Sequence, residues 1–479
     1  MESRPLGAVV LAAGLGTRMR SRRAKVLHEL GGRPMLTYPL AAVAGLGPER
    51  VAVVVGHQAD GVRRVAEGVP GLGNLRTVLQ AEQRGTGHAV ACATDAFAGF
   101  AGDVLIVYGD VPRIRTATLR RLVEAHREAG AALSLLTVCF ADPTGYGRIV
   151  RASDGGIGGI VEEKDATPAE RAITEINPGF YCVDAAILFR LLGRLEPKNA
   201  QGELYLTDLV HLARGEGRRV LAVRVDDRSD FAGVNTRAEL AEMEAALTRQ
   251  RVEHWMAQGV TFEDPASAWI GPDVTIGADT VVGPNVILRG ATRIGEGCRL
   301  EGTDNLVDTV VGNRVRIRFA CDAEGARIGD DAIVGPFARL RPGTVLAERV
   351  HIGNFVETKK AVVGAGTKAN HLTYLGDCEI GPETNVGAGT ITCNYDGSTG
   401  RKSKTTIGAR VQIGSDTQLV APVTVGDDAY VGAGTTVTGN VPEGALVVSR
   451  APMRFIPGWT ARRRARAAAA KSSNGATAP

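Results

Sequence analysis

Two glycines in Leu11-Ala12-Ala13-Gly14-Leu15-Gly16-Thr17-Arg18-Met19 stand directly after an apolar run. Glycines so spaced let backbone N–H groups turn toward an anion at a helix N-terminus. Arg18 and Lys25 follow close behind, two cations able to screen a polyphosphate. The loop lacks the GK[ST] of a Walker loop, and Met19 stands where a dinucleotide fingerprint needs its third glycine. Alone, it would serve equally as a plain strand-to-helix turn. Asp110 closes another apolar run, DVLIVYGD (103 to 110), where a carboxylate is either a helix cap or a ligand-facing group.

A second concentration of chemistry lies far downstream, in FARLRPG (337 to 343), HIGNFVETKKA (351 to 361), KANHLTYLGD (368 to 377), NVGAGTITCNYDG (385 to 397) and IGSDTQLVAPV (413 to 423). These stretches hold more polar and aromatic residues than a structural repeat requires. His371 offers an imidazole suited to general-base work, although a lone histidine is more often a packed or surface residue.

The elements that carry these residues fall into two patterns. Over residues 1 to 237, apolar runs AVVLAAG (8 to 14), VAVVVG (51 to 56), DVLIVYGD and LSLLTV (133 to 138) alternate with helix-like stretches, which predicts a parallel, doubly wound α/β sheet. Thr236 and Glu239 form a capping box for a linker helix over 238 to 258. Over 259 to 456 an aliphatic–Gly pair recurs at six-residue spacing, as in Ile270-Gly271, Ile276-Gly277, Val282-Gly283, Ile380-Gly381 and Val386-Gly387. Such a repeat predicts a parallel β-helix, each aliphatic pointing inward and each Gly permitting the turn. The period breaks at 302 to 310, 318 to 327, 366 to 379 and 392 to 406, and insertions that leave a solenoid tend to build its binding face. Residues 457 to 479, basic and ending in SSNGATAP, read as a disordered tail.

The 479 residues carry a net charge of +4, but five cations in the last 20 residues stand without an acid, so the remainder carries −1. A nucleic-acid-binding domain is not indicated. No run approaches a membrane span. Seven cysteines without a CxxC pair argue for a reducing compartment, the cytoplasm, and against structural zinc.

LAAGxGTRM with AKVLH (24 to 28) resembles the sugar-1-phosphate nucleotidyltransferases. With QAEQRGTGHA (80 to 89), YGDVP (108 to 112), DPTGYGRIV (142 to 150), GIVEEKDAT (159 to 167), EINPG (175 to 179), NAQGELYLTD (199 to 208), GVNTR (233 to 237) and the hexapeptide half, the chain from about 5 to 455 is similar to the bifunctional uridyltransferase/acetyltransferases. The resemblance implies a Rossmann-like nucleotidyltransferase domain followed by a left-handed parallel β-helix. It implies acetyl-CoA-dependent N-acetylation of glucosamine-1-phosphate, then uridylyl transfer from UTP to N-acetylglucosamine-1-phosphate. By it, Leu11, Ala12, Ala13, Gly14, Gln80, Gly85 and Thr86 hold uracil and ribose, and Arg18 and Lys25 hold phosphates. Tyr108, Gly109 and Asp110 line the same site, while Gly147, Glu162 and Asn177 hold the acetylated sugar. Asp110 and Asn235 would share Mg²⁺, an oxygen-only pair suited to a hard ion.

In the second half the resemblance implies His371 as general base, oriented by Glu357. Arg341, Lys359, Tyr374 and Asn385 would bind the sugar phosphate. Ala388, Asn394, Tyr395, Ser415, Ala433 and Arg450 would face substrate or acetyl-CoA in a groove between neighbouring β-helices of a homotrimer. Two departures stand out: Ala24 replaces a usual Pro before Lys25, and Pro178 follows Asn177 where a smaller or hydroxylated residue is usual. Two other readings stay open at this point. One is a uridyltransferase with a merely structural or allosteric β-helix; the other is a non-catalytic scaffold resembling exchange-factor subunits.

Overall fold

A computed structural model describes residues 4 to 449 and 452 to 474. Two compact units divide at Gln250 and Arg251, inside one helix, Arg237–Ala257. The capping box at its start is formed: Glu239 accepts from Thr236 N (3.1 Å) and donates its own N–H to Thr236 Oγ1 (3.2 Å).

The first unit is built on ten strands: β1 (Leu6–Ala12), β2 (Arg50–Val55), β3 (Leu75–Leu79), β4 (Asp103–Tyr108), β5 (Leu133–Cys139), β6 (Gly147–Arg151), β7 (Ile157–Val161), β8 (Glu175–Asn177), β9 (Tyr181–Asp184) and β10 (Val220–Arg224). Their order is β3-β2-β1-β4-β9-β5-β8-β6-β7, with β10 also on β5. Continuous apolar runs suit strands covered on both faces. Val10, Val53 and Leu105 pack into one buried cluster, and their neighbours Val9, Val54 and Ile106 into another.

The expected uniformly parallel sheet is in fact mixed. β3, β2, β1 and β4 are parallel, whereas β9 runs antiparallel to both β4 and β5, and β6 antiparallel to β7. A parallel crossover needs a dozen or more residues, and the short link between β6 and β7 can only close a hairpin.

The second unit is a parallel β-helix in which each short strand pairs with the third one after it, as Thr275 with Arg293 and Val281 with Arg299. Ile270, Ile276, Val282, Ile294 and their successors fill its core. The repeated glycines have a different role from the one expected. A Cβ at Gly277 would lie 2.6 Å from the backbone of Gly295, and one at Gly364 2.6 Å from Pro382 N, so these glycines let coils stack closely. The left-handed corner falls two residues later and is often Asp or Asn, such as Asp279 (φ 60°), Asn285 (φ 57°) and Asp331 (φ 58°), types that tolerate it.

Three of the four apparent interruptions stay inside the coil. Asn305 pairs with Asp322, Arg327 with Val345, and 366 to 379 contributes to the long strand β12 (Lys368–Ile380), which lies on β11 (His351–Val363). Only 392 to 406 adds length: Cys378 pairs directly with Thr405. The tail also departs from expectation. Trp459–Asn474 is helical, as a run of Ala and Arg favours, with the Arg463 guanidinium 5.0 Å from the Trp459 ring.

Asp304 sits inside the coil, accepting from Cys321 N (2.9 Å) and Gly302 N (3.1 Å), and burial pushes its carboxyl up to about 7. The native state therefore holds a proton there that the unfolded chain releases near 3.8. This contribution is full below pH 4 and is lost as pH rises through 7, by at most ~4 kcal/mol. In denaturant unfolding, Asp304→Asn should flatten the fall of stability between pH 5 and pH 8; an unchanged slope would refute the assignment.

Candidate functional sites

At the carboxyl ends of β1 and β4 the loop after Ala12 does not open a helix but only a single 3-10 turn, Thr17–Met19. The expected helix N-terminus is absent there, so any phosphate rests on side chains and loop N–H groups. Gly16 adopts φ 61°, and a Cβ there would sit 2.6 Å from Lys25 Cβ. The close approach places the half-buried Lys25 ammonium between the Asp110 carboxylate and Asn235 Oδ1, 3.1 Å from the latter. Arg18 donates to the same amide oxygen at 3.0 Å. Asn235 is held in turn by Glu239, which accepts from its N–H at 2.5 Å.

Two cavities meet at this point. One, of about 260 Å³, is lined by Leu11, Ala12, Ala13, Gly14 and Lys25 on one side and Gln80, Gly85 and Thr86 on the other. The second, of about 330 Å³, is lined by Arg18, Gly147, Glu162, Asn177 and Asn235. Tyr108 and Asp110 belong to both. Gly109 lies behind them, its N–H on Leu11 O (2.9 Å), where a Cβ would press on Leu36. Every residue expected of the nucleotidyl site is thus brought together.

Desolvation raises the Glu162 carboxyl, which accepts from Thr207 Oγ1 at 3.1 Å. Asn177 Nδ2 donates to Tyr181 Oη (2.6 Å), and its Oδ1 accepts from Gly179 N (3.0 Å), so the residue after Pro178 supplies the N–H that fixes the amide. Ala24 does not leave the Lys25 loop untethered, since its N–H, which a Pro would lack, donates to Gln58 Oε1 (2.9 Å). Glu203 and Gln83, which the sequence reading did not single out, also line the first cavity, and Gln83 donates to Ala13 O at 3.0 Å. Both lie inside quoted blocks, where their polarity was the available signal.

On the β-helix, β11 and β12 pair residue for residue: Asn354 with His371, Glu357 with Tyr374, Lys359 with Gly376. His371 is exposed, and its Nδ1 faces Asn354 Oδ1 at 3.3 Å, which leaves the Nε2 lone pair open. Glu357, expected to orient this histidine, instead accepts from Arg341 Nη1 at 2.7 Å. The register accounts for the difference, because Asn354 faces His371, whereas Glu357 follows the corner at Phe355 (φ 56°) and faces Tyr374.

Lys402 and then Arg341 hold the Lys359 ammonium below its ordinary value, so three cations converge there. Lys402 was missed; it lies in the added loop, bridged to the exposed Tyr395. Tyr374 lies over Gly376, where a Cβ would collide with its hydroxyl. Asn385 is exposed, in register with Lys368 and Gln412. Asn394 is buried and donates to Asp377 Oδ2 at 2.5 Å, so its side chain buttresses the loop. Ala388 O accepts from Asp416 N (2.7 Å) and Ser415 O from Gly434 N (2.8 Å), which aligns Ala388, Ser415 and Ala433 along one corner. Arg450 lies outside the described residues. Burial pushes the Cys378 thiol up to about 12, consistent with packing alone.

A mixed α/β sheet with two cavities sharing a strand-end carboxylate, followed in sequence by a β-helix with a histidine and a cationic cluster, defines a nucleotidyltransferase joined to a hexapeptide-repeat transferase. Residues 8–153 match the MobA-like NTP transferase domain, 265–363 the GMPPB C-terminal domain, and 404–439 the bacterial transferase hexapeptide. The chain is 50% identical over 457 residues to the bifunctional protein GlmU of Pelobacter propionicus, covering 95% of this chain and 98% of that one. It is 51% identical to that of Mycolicibacterium vanbaalenii (98% and 95% covered) and 47% to that of Geobacter sulfurreducens (96% and 99%). It belongs to the GlmU family of bifunctional proteins.

Proposed function

We propose that this chain makes UDP-N-acetylglucosamine in two steps, acetylating glucosamine-1-phosphate on the β-helix and uridylylating the product in the α/β unit. The observation that carries the reading is that one chain keeps both constellations intact: oxygens of Asp110 and Asn235 converging on a cation between two cavities, and, on the β-helix, His371 beside Asn354 with three cations gathered at Lys359 on the strand paired with its own. A scaffold would have no need of the first, nor a merely structural β-helix of the second.

In acetyl transfer, Arg341, Lys359 and Lys402 hold the sugar phosphate. The amine attacks the thioester carbonyl of acetyl-CoA, His371 Nε2 takes the amine proton, and coenzyme A leaves as its thiolate. Asn354 keeps the Nδ1 proton in place, so the free lone pair is always on the side of the nucleophile. Asn354→Ala should lower kcat for acetylation about tenfold with little change in the KM for glucosamine-1-phosphate; a wild-type kcat would remove the orienting role.

In uridylyl transfer, a phosphate oxygen of N-acetylglucosamine-1-phosphate attacks the α-phosphorus of UTP and pyrophosphate leaves in line. Lys25 already occupies the position of a cation between Asp110 and Asn235, so an oxygen-only divalent site fits these residues. Mg²⁺ held there supplies charge neutralisation. The residues of the chain position the reactants: the first cavity takes the nucleoside, the second the sugar, and Lys25 and Arg18 the phosphates. EDTA should stop pyrophosphate release and leave thiol release unchanged; pyrophosphate release that persists in EDTA would refute the metal assignment.

A homotrimer completes the acetyl-transfer groove in this reading. Phe319, Phe337, Phe355 and Leu372 form a ladder along one corner, with ring centroids 5.7 and 5.5 Å apart, and are 46%, 46%, 58% and 64% exposed. An apolar ladder beside His371 supports burial against another copy of the chain. We place the enzyme in the cytoplasm; no helix among the described residues is long and apolar enough to cross a membrane.

A further inference from the structure

Gln80 is 3% exposed and lines the first cavity. Its Nε2 donates to Gly85 O at 3.2 Å and lies 3.1 Å from His88 Nδ1. A backbone carbonyl only accepts, so the nitrogen end of the amide must face Gly85, and the second hydrogen of that nitrogen is directed to His88. His88 Nδ1 is then an acceptor and the ring proton sits on Nε2, which faces Cys92 Sγ at 3.9 Å, one turn along from His88. Gly85 O is held in place from its other side, since it also accepts from Ala89 N at 3.1 Å, and Gly85 itself packs closely against Leu204, where a Cβ would stand 2.6 Å from Leu204 O. Both hydrogens of the Gln80 amide are therefore engaged, and no described residue donates to its Oε1.

We propose that His88 is a positioning residue for base selection: it locks Gln80 so that the nucleotide cavity meets an acceptor and not a donor. The inference rests on the reading that Gln80 faces the base. An acceptor there matches the N3–H of a uracil or thymine ring. Cytosine presents a bare N3 lone pair at the same place and leaves Gln80 Oε1 buried against another acceptor. Sites built on such a bond reject the mismatched ligand because a buried polar group is left without a partner. Without the His88 acceptor the amide has only Gly85 O to define its orientation, and the alternative rotamer becomes accessible.

The test compares full-length His88→Leu, which fills similar space without an acceptor, with His88→Asn, whose carbonyl can stand where Nδ1 stands. Pyrophosphate release is measured with UTP and with CTP, and wild-type circular dichroism and thermal unfolding of each variant confirm that the α/β unit is folded. His88→Leu should lower the UTP:CTP ratio of kcat/KM roughly tenfold, mainly through KM for UTP. His88→Asn should restore most of it. Equal, wild-type ratios in both variants would overturn the inference, as would equal losses in both. Gln80→Ala separates the underlying reading: if it leaves the ratio unchanged, Gln80 does not face the base and both statements fall. If it abolishes selection while His88→Leu retains it, only the role of His88 fails.

Discussion

Asp110→Ala should reduce pyrophosphate release by at least 10²- to 10³-fold, the scale on which loss of one preorganised electrostatic group is felt, while thiol release stays within about twofold of wild type. The asymmetry follows from position. Asp110 closes β4 at the junction of the two cavities, its carboxylate bound by Lys25, and Tyr108 beside it shares both linings. Removing it takes away the only anionic ligand of the pair with Asn235 and leaves Lys25 with the amide oxygen alone. The truncation changes no residue of the β-helix. The measurement is steady-state pyrophosphate release with N-acetylglucosamine-1-phosphate and UTP, set against thiol release with glucosamine-1-phosphate and acetyl-CoA on the same preparation. Loss of both activities would break the claim that the sites are separate.

His371→Ala should do the reverse, lowering acetyl transfer by about 10²- to 10⁴-fold, the usual contribution of a general base, with pyrophosphate release unaffected. The open Nε2 on an exposed ring, backed by Asn354, is the geometry of a base that works on a substrate amine. A variant that retains the wild-type rate of thiol release would show that the amine loses its proton elsewhere.

The loop after β1, the strand-end Asp110 and the six-residue period were legible because each depends on residues adjacent in sequence. The two cavities were legible only through resemblance, since Gly147, Glu162 and Asn235 meet Asp110 through the tertiary fold alone. Resemblance gave Glu357 as the residue orienting His371, whereas facing residues on the β-helix are separated by a full coil, as Asn354 and His371 are. Short hairpin strands such as β6 and β7 carry too few residues to declare their direction, so the sheet read as parallel. The period also concealed which breaks were real: 302 to 310 stays in the coil with Val307 where the glycine is expected and one residue fewer, so that Ile287 faces Asn305 but Arg293 faces Val310, whereas 392 to 406 inserts chain. The helix at Trp459–Asn474 was discounted on charge, although Ala and Arg are strong helix formers.

A one-pot reaction of the full chain with glucosamine-1-phosphate, acetyl-CoA, UTP and Mg²⁺, following free thiol and pyrophosphate separately, tests the pairing of two activities most directly. Thiol should appear at once and pyrophosphate after a lag, because the second site consumes what the first produces. Pyrophosphate only when N-acetylglucosamine-1-phosphate is supplied, with no thiol released, would contradict the two-activity account and reduce the β-helix to a structural module.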